Sequence, residues 1–598
     1  MSRPAWLAVV LCLFVVGVPP RLFAQEPPEF ELPDVVSPGR RLQRASATPA
    51  SVTVLTTADL RRLGVRTVGE AIAYVPEALA RAYGGPGSLI TPSIRGSTAE
   101  QVWVLLDGVP INSAFAGTVD LSTIPIDDVE RIEILRGPFS AIYGSAALGG
   151  VISIVTRRAG RSAVTLSGGS FGVGAVSITT GGDGRISLRY ETAEGARPNS
   201  DLRSGYLSMR FGGGPPGRTW DLSLMGATAT RGAPGSTIFP SVTARQDDSR
   251  IVAALTLERE RGRATDRVRL AVHRDTFAFR EPAFGIDDRS VGTAWSAEWQ
   301  RAIRIAPARV VAVGADARHQ TLASLSVGNR YETIGALYVQ DDRSLGPRTL
   351  LSAGLRVDVH SAYGVQINPR LGLVHFLRPD ARLRLAVGRT FRGPTLADLY
   401  YPFDGFVMGN PLLRPEHAWS ADAGLEVVAR PGLMIRASAF WTDVRDLIVY
   451  LPDAAFVFIP QNIGAASIRG ASLELDGALS PGWSARASAT WMLAHDRATG
   501  LDLPNRPRLA SSLALTRHLA LGSALTVTAV AVGQRFANAA NTVSLPGYLT
   551  VGLAYEAPPV DGLTVRISVQ NLFEARYEAV QGYPAPGRTV FVDVVIRR

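Results

Sequence analysis

The stretch "IEILRGPFSAIYGSAALGGVISIVT", residues 132–156, sets a glycine-rich loop between two apolar runs that are rich in isoleucine and valine. Runs of this kind predict β-strands. A glycine-rich loop after a strand can cradle a phosphate, but a P-loop also needs a lysine, and all 62 basic residues here are arginine. A dinucleotide-binding loop opens a helix, whereas Gly149 and Gly150 are followed by the second apolar run. The stretch therefore predicts two strands joined by a tight loop rather than a nucleotide site.

The N-terminus has the plan of a secretory signal peptide. An apolar run, Trp6–Val18, follows Arg3 and precedes Ala24, so residues 1–24 are predicted to be removed on export. The run is too short to span a bilayer as a helix. The only cysteine, Cys12, lies within it, so the mature chain is expected to have no disulfide. The formal charge of +10 is spread in single and paired arginines without a basic tail, which argues against nucleic-acid binding.

The rest of the chain divides into three zones. Residues 25–45 are rich in proline and charge and predict a flexible segment. Residues 46–160 mix short helical patterns with strands and predict an α+β domain, while residues 161–598 repeat strand patterns broken by Gly, Pro, Asp and Asn. No later apolar run reaches the roughly 18 residues that a membrane helix needs, but this does not exclude a membrane β-barrel.

The polar face of the repeated strands distinguishes this zone from a soluble β-sandwich, whose strands also alternate polar and apolar residues. Strand after strand carries arginine on one face and aliphatic or small residues on the other, as in "RVRLAVH" (267–273), "WSARASATW" (483–491) and "LTVRISVQ" (563–570). A membrane barrel needs this pattern because its interior is wet and its exterior faces lipid. At about 20 residues per strand and connection, the zone predicts about 22 strands, the number found in plugged outer-membrane transporters.

Motifs in both folded zones resemble those of TonB-dependent outer-membrane receptors. They are "SIRG" (93–96), "VLLDGVPIN" (104–112), "IPIDDVERIEILRGP" (124–138) and "SAIYGSAALGGVISIVTR" (140–157), then "TFRGPTLADLYYP" (390–402), "GNPLLRPE" (409–416), "QNIGAASIRGASLEL" (461–475) and residues 569–594. The resemblance implies an all-β transmembrane barrel of about 22 antiparallel strands with an N-terminal α+β plug domain inside it. It also implies a monomer in the outer membrane of a Gram-negative-type bacterium, surrounded by lipid. Such a receptor imports a scarce ligand, driven by the proton gradient through a TonB-type energy transducer of the inner membrane.

The arginines of the IRG and LRG motifs, Arg95 and Arg136, are implied by the resemblance to face acids on the inner barrel wall. The matching acids are Glu474 and, where the family usually has a second glutamate, Asp422. Where the family often has a further glutamate, this chain has Ser472, so the contact is expected to be weaker or shifted. The alternative is that both are ordinary surface arginines.

The segment "LPDVVSPGR", residues 32–40, resembles a Ton box, the peptide on which the energy transducer pulls. A short extended peptide can add a strand to the edge of a partner sheet. The flanking prolines cannot donate a backbone hydrogen bond, so the usable strand is short. The predicted contact residues are Leu32, Pro33, Asp34, Val35, Val36 and Ser37.

The ligand is expected on two loops at the apex of the plug, since the plug sequence is most similar to the cobalamin-receptor branch. Both loops are small and uncharged, which suits a large, weakly charged corrinoid better than an anionic iron chelate. The aromatic loop Tyr400–Pro411 is a candidate lid. Alternatives are a ferric siderophore or haem as ligand, a binding or adhesion barrel without transport, a soluble secreted β-protein, or loops that touch no ligand. The predicted contacts are Gly85, Gly87, Ser88, Leu89, Ile90, Asn112, Ser113, Ala114, Phe115 and Gly117.

Calcium is the one cofactor that the resemblance suggests, because the cobalamin branch places it among aspartates of early extracellular loops. Oxygen ligands suit calcium, and the candidates are Asp201, Asp247 and Asp248. Solvated surface aspartates are the alternative. The histidines show no metal-ligand spacing, and no Ser-His-Asp or paired-carboxylate set stands out, so we expect no enzyme activity. The chain ends on Arg598, whereas barrels of this kind usually end on an aromatic residue.

Overall fold

A computed structural model describes residues 48–404, 407–454 and 457–597. The predicted signal peptide, the flexible segment with the Ton-box residues, and Arg598 lie outside these ranges. The described chain forms a closed antiparallel barrel of 22 strands, with a smaller sheet inside it. The predicted fold class and strand number are therefore confirmed. Within the described residues, no helix has the length and apolarity needed to cross a membrane.

The plug contains a five-stranded sheet of order β1-β6-β7-β4-β5 and a separate hairpin, β2–β3. Only β4 and β7 pair in parallel. Its strands are β1 Ser51–Thr56, β2 Ala78–Ala82, β3 Ile90–Ile94, β4 Val102–Leu106, β5 Val109–Pro110, β6 Val129–Arg136 and β7 Gly150–Thr156. The helices are α1 Thr57–Arg62, α2 Val68–Ala71 and α3 Ser140–Tyr143, and α4 Leu396–Tyr400 lies in a barrel loop.

The barrel begins after the plug, at Ala163. Strands β27–β28 and β31–β32 form hairpins in loops, and all others belong to the wall. The strands are β8 Ala163–Gly169, β9 Val173–Thr179, β10 Gly184–Ala193, β11 Leu202–Gly213, β12 Arg218–Gly232, β13 Arg245–Arg261, β14 Ala264–Glu281, β15 Ile286–Ala306, β16 Arg309–Ser324, β17 Gly328–Ser344, β18 Thr349–His360, β19 Gly364–Arg378, β20 Ala381–Arg392, β21 Glu416–Arg430, β22 Leu433–Pro452, β23 Phe458–Ser480, β24 Trp483–Asp496, β25 Leu509–His518, β26 Ala524–Val532, β27 Arg535–Phe536, β28 Ser544–Leu545, β29 Tyr548–Glu556, β30 Leu563–Gln570, β31 Glu578–Val580, β32 Tyr583–Pro584 and β33 Thr589–Arg597.

The alternation along the wall strands separates an outward-facing side from a plug-facing side. Trp491 on β24 and Leu270 on β14 point outward and are 49% and 51% exposed. Arg486, on the other face of β24, lies 3.4 Å from Asp59 of the plug. Successive side chains of a strand point to opposite faces, so one strand supplies both surfaces.

The loop in residues 137–149 shows why its glycines are needed. Gly137 and Gly144 have φ values of +116° and +82°, a region that favours glycine. A Cβ on Gly137 would lie 2.8 Å from the Asp422 carboxylate, and one on Gly144 would lie 3.0 Å from the Arg356 guanidinium. The glycines therefore let the loop approach charged groups of the barrel wall, and no phosphate cradle is formed.

Helix α1 lies between Thr56 and Gly64. The Thr56 side chain caps it by accepting a hydrogen bond from the Asp59 backbone N–H, and Gly64 follows it with a φ of +66°. The sequence pattern did not indicate the β2–β3 hairpin. Its strands are short and lack a polar-apolar alternation, so only the packing inside the barrel defines them.

Candidate ligand site and plug–barrel interface

Arg136, at the end of β6, joins the plug to the barrel wall. Its Nη1 donates to Glu474 Oε1 of β23 at 2.9 Å and to the Pro76 carbonyl at 3.1 Å, while its Nη2 donates to Thr53 Oγ1 at 2.9 Å. Arg136 is buried, with 1% of its surface exposed. A charge buried this deeply needs such partners, so the arginine is not an ordinary surface residue.

Arg95 makes the second ionic contact of the plug with the same wall. Its guanidinium pairs with Asp422 of β21 and lies 4.6 Å from the ring centroid of Phe440. The structure thus brings together all four residues that the sequence analysis assigned to this contact. We call Arg95, Arg136, Asp422 and Glu474, together with Glu77, the lock cluster.

Glu77 is the member of the lock cluster that the sequence analysis missed. It belongs to the plug, and its Oε2 accepts from Arg95 Nε at 2.5 Å while its Oε1 lies 3.8 Å from Arg136 Nη1. Ser472 Oγ donates to Oε1 at 2.6 Å, and the Glu77 backbone N–H donates to Thr490 Oγ1 at 3.1 Å. The position where a wall glutamate was expected is therefore a serine that contacts a carboxylate from the plug. The carboxylate at this point of the interface is thus supplied by the plug and not by the wall.

The charge on Glu77 is stabilised despite its burial. Desolvation alone would raise the pKa of the carboxyl group, but Arg95, Arg136 and the Ser472 hydroxyl together lower it to about 2. Arginine stays protonated at any accessible pH. Glu77 is thus ionised throughout the physiological range, as a counter-ion to both plug arginines.

On the opposite part of the wall, most ion pairs with the plug have the reversed polarity. There, four aspartates of the plug meet arginines of the barrel strands β10, β11 and β12, while Arg66 of the plug pairs with Glu191 of β10. Removing one partner of a buried ion pair leaves an uncompensated charge and is strongly destabilising. The pairs are Asp107–Arg210 at 2.9 Å, Asp120–Arg231 at 2.7 Å, Asp127–Arg189 at 2.7 Å and Asp128–Arg185.

The first apical loop, residues 85–90, is held by two of these charged groups. Arg231 Nη1 donates to the Gly87 carbonyl at 2.9 Å, and Asp120 Oδ1 accepts from the Ile90 backbone N–H at 3.1 Å. Arg231 also pairs with Asp120 itself. The backbone of the loop is therefore positioned by the barrel wall as well as by the plug.

A cavity of about 230 Å³ lies beside this loop, between the plug and the wall. Gly85, Gly87 and Ile90 line it, together with Tyr548 and Tyr577, whose rings stack with centroids 3.9 Å apart. Three of the predicted ligand contacts thus border a cavity with an aromatic wall. The Ser88 hydroxyl donates within the loop to the Gly85 carbonyl at 2.7 Å, and the Leu89 carbonyl accepts from the Tyr83 N–H at 3.0 Å.

Asn112, predicted as a ligand contact on the second apical loop, is buried in the structure. It is 3% exposed, and its amide forms hydrogen bonds inside the plug. Oδ1 accepts from the Val104 N–H at 2.9 Å, while Nδ2 donates to the Val102 carbonyl at 3.0 Å and to the Gly117 carbonyl at 2.8 Å. The side chain therefore fixes the shape of the loop, and both of its N–H groups are used within the plug.

The rest of the second loop, residues 113–117, packs against the barrel and the aromatic loop. Ser113 Oγ donates to Asp275 at 2.9 Å, and Ala114 is buried. The Phe115 ring stacks on Phe277 at 6.3 Å and lies 6.4 Å from the ring of Tyr401.

The aromatic loop reaches this apex through its first turn. The Ala397 backbone N–H in α4 donates to the Phe115 carbonyl at 3.1 Å, and Thr395 would lie 2.7 Å from a Cβ on Gly117. Helix α4, which leads into the predicted lid Tyr400–Pro411, thus lies against the plug apex, and Tyr401 of the lid segment contacts it. Residues 405 and 406 of this segment are outside the described ranges.

The three calcium candidates are each held by an arginine. Asp201 lies 2.6 Å from Arg245, Asp247 lies 2.7 Å from Arg280, and Asp248 lies 2.8 Å from Arg231. Among residues 48–404, 407–454 and 457–597, no group of three or more His, Cys, Asp or Glu could hold a metal ion. This arrangement does not fit a calcium site, because each of the three carboxylates is already paired with a cationic guanidinium group. Calcium binding stays a prediction without support from the geometry.

Comparison with known proteins places these features in a family. The TonB-dependent receptor plug domain model matches residues 44–151, and the TonB-dependent receptor-like β-barrel model matches residues 156–572. The vitamin B12 transporters BtuB of Vibrio vulnificus and Photobacterium profundum are 28% and 26% identical, each over 94% of this chain and 95% of their own length.

Solved structures show the same fold at lower identity. The siderophore receptor PiuA of Acinetobacter baumannii has a TM-score of 0.79 at 16% identity, covering 95% of this chain and 100% of that one. The ferric enterobactin receptor PfeA of Pseudomonas aeruginosa has a TM-score of 0.78 at 18% identity, covering 92% and 100%. With both domain models matched across a plugged barrel of 22 strands, the chain belongs to the TonB-dependent receptors.

Proposed function

We propose that this receptor imports a corrinoid such as cobalamin across the outer membrane, and that a TonB-type protein of the inner membrane drives the import with the proton gradient. The two apical loops carry the proposal, because residues 85–90 and 112–117 contain no charged side chain. They offer glycine backbone, a phenylalanine and neighbouring tyrosines, which suit a large ligand of low net charge. The relatives named as vitamin B12 transporters, similar over 94% of this chain, support the same ligand class.

The charges near the first loop argue against an anionic iron chelate as the main ligand. Such a ligand would favour arginines that converge on the vestibule with free donors. Arg231, which contacts the first loop, is instead paired with Asp120 and Asp248 at 2.7 and 2.8 Å. Its positive charge is therefore already compensated by the protein.

Equilibrium binding of cyanocobalamin to the detergent-purified receptor tests the ligand class. Binding is measured with calcium and with a chelator, alongside a ferric siderophore and haem. We expect tight corrinoid binding that is unchanged by the chelator. Binding of the siderophore or haem in place of the corrinoid would overturn the ligand class and leave the transporter function in place. A chelator-dependent affinity would restore the calcium prediction.

A pair of variants connects the ligand to the proposed apex. Phe115→Ala removes the ring that stacks on Phe277 at the second loop, and we expect it to weaken corrinoid binding about tenfold, or about 1.4 kcal/mol. Phe211→Ala is the control, because Phe211 lies on the outward face of β11, where it is 37% exposed, and should leave affinity unchanged. Equal affinities of both variants and the unmodified receptor would place the ligand elsewhere.

Deletion of residues 32–37 tests energy coupling separately from binding. We propose that these residues form the Ton box and pair with the energy transducer as an added strand. The deletion should abolish uptake in cells and leave corrinoid binding of the purified receptor intact. Uptake at the normal rate would reject this segment as the coupling site.

A further inference from the structure

We propose that Glu77 is a positioning residue for transport, which supplies from the plug the carboxylate that the barrel wall lacks at Ser472. The Arg95–Glu77 contact then lies inside the plug, so it does not have to break when the plug separates from the wall. The inference rests on the transport function of the family and is independent of which ligand is carried.

The backbone at Glu77 indicates that the carboxylate is selected for its position. Glu77 has a φ of +62°, in the left-handed region where side chains other than glycine are disfavoured. It is 6% exposed. A strained, buried residue persists only where the surrounding contacts compensate for it, and here they are the two arginines and Ser472.

Ser472 marks the place where a wall carboxylate would fit. It lies two residues before Glu474 on β23, so both side chains point to the same face of the wall. Its hydroxyl already lies 2.6 Å from Glu77 Oε1. A glutamate at this position would carry a carboxylate into the same space and face the same two arginines, but from the wall.

The position of the carboxylate, at residue 77 of the plug or at residue 472 of the wall, decides how many ionic contacts join the plug to the wall. With Glu77, the plug part of the lock cluster has two arginines and one carboxylate, and the wall has Asp422 and Glu474. With the carboxylate at position 472, the plug part would carry two uncompensated positive charges against three negative charges on the wall. Every arginine–carboxylate contact of the cluster would then have to be broken for release, so the plug should be harder to displace.

The test moves the carboxylate across the interface in the double variant Glu77→Gly, Ser472→Glu. Glycine also relieves the left-handed backbone at position 77. Three quantities are measured on the full receptor: ligand affinity, uptake in cells, and the urea concentration at which a buried plug thiol becomes reactive. The thiol is introduced as Ser51→Cys in a Cys12→Ala background, at a site that is 3% exposed in β1.

We expect the double variant to bind ligand normally, to release the plug only at higher urea, and to take up ligand at least about threefold more slowly, because the interaction energy across the interface changes and the ligand site does not. Uptake and urea midpoint both equal to those of the unmodified receptor would overturn the proposal, because the side of the carboxylate would not matter. Altered affinity with normal plug release would also overturn it.

Glu77→Gln keeps the inference testable if the double variant fails to insert. The amide retains the shape and can still accept from Ser472, but it removes the charge that faces Arg95 and Arg136. We expect the thiol to react at lower urea while ligand affinity stays unchanged. A midpoint equal to that of the unmodified receptor would show that the Glu77 charge does not compensate the two plug arginines and would overturn the proposal. Ser177→Ala on β9 serves as the control for a buried polar residue outside the lock cluster.

Discussion

Acidification should loosen the plug through the protonation of Glu77. Burial raises the pKa of this carboxyl group, but the two arginines and Ser472 lower it to about 2, compared with 4.5 for an ordinary glutamate. When urea unfolds the plug and the cluster separates, the carboxylate meets water and regains its ordinary value. The ionised form therefore stabilises the folded plug by about 3 kcal/mol, or about two powers of ten in the ratio of folded to unfolded plug.

The direction of the effect follows from the lowered pKa. This stabilisation is complete above a pH of about 4.5 and is lost as the pH falls through about 2, because a protonated Glu77 gains nothing from the arginines. Other carboxylates also titrate in this range, so the comparison is with Glu77→Gln, which lacks only this one. The difference in plug stability between the two proteins should shrink from about 3 kcal/mol at pH 7 to near zero below pH 2.

Trp103 provides the assay, because it is the one tryptophan in residues 48–157 and is 9% exposed. Its ring lies 5.3 Å from the Arg318 guanidinium of the barrel wall, so its emission should change when the plug is displaced. Urea titrations at several pH values, corrected with Trp103→Phe, give the plug stability of each protein. A difference between the unmodified receptor and Glu77→Gln that is constant from pH 7 to pH 2 would refute the electrostatic argument.

Two further substitutions test how the apical loops are positioned. Arg231→Gln removes the donor to the Gly87 carbonyl and should weaken ligand binding several-fold in an equilibrium titration. Arg245→Gln breaks the pair with Asp201 and a 3.4 Å hydrogen bond to Asn199 and should leave binding unchanged; equal effects of the two variants would show that the loop does not depend on Arg231. Asn112→Ala leaves a buried N–H and two carbonyls without their partners and should lower plug stability by about 3 kcal/mol in the Trp103 assay. A stability loss below about 0.5 kcal/mol would mean that the loop holds its shape without this side chain.

The sequence predicted the barrel well because each wall strand repeats the same physical requirement. An apolar outer face and a charged inner face impose an alternation on every strand, so the strand number could be estimated from the length of the zone. The lock arginines were also predictable, since Arg95 and Arg136 stand in local motifs. Glu77 was not, because its role depends on a serine almost four hundred positions away that only the folded chain brings within 2.6 Å.

Asn112 shows a different limit of sequence reasoning. A polar residue in a short apical loop can face the ligand or hold the loop together, and both roles give the same local sequence. Its three hydrogen bonds are formed with Val104, Val102 and Gly117, so the choice depends on how the loop folds back onto β4. Apical residues whose side chains form no hydrogen bonds, such as Phe115, are better candidates for ligand contact than Asn112.

The ion pairs on the two opposite parts of the barrel wall restrict how the plug can move. Near β21 and β23 the plug presents Arg95 and Arg136 to wall acids, whereas near β10–β12 it mostly presents aspartates to wall arginines, with Arg66–Glu191 as the exception. A rotation of the plug that carried either face to the other wall would bring like charges together, which is strongly disfavoured in a buried interface. Displacement along the barrel axis, or local unfolding of one face, avoids this repulsion. Because Glu77 already compensates part of the arginine charge on the plug side, the lock face is the one that can separate with fewer contacts broken.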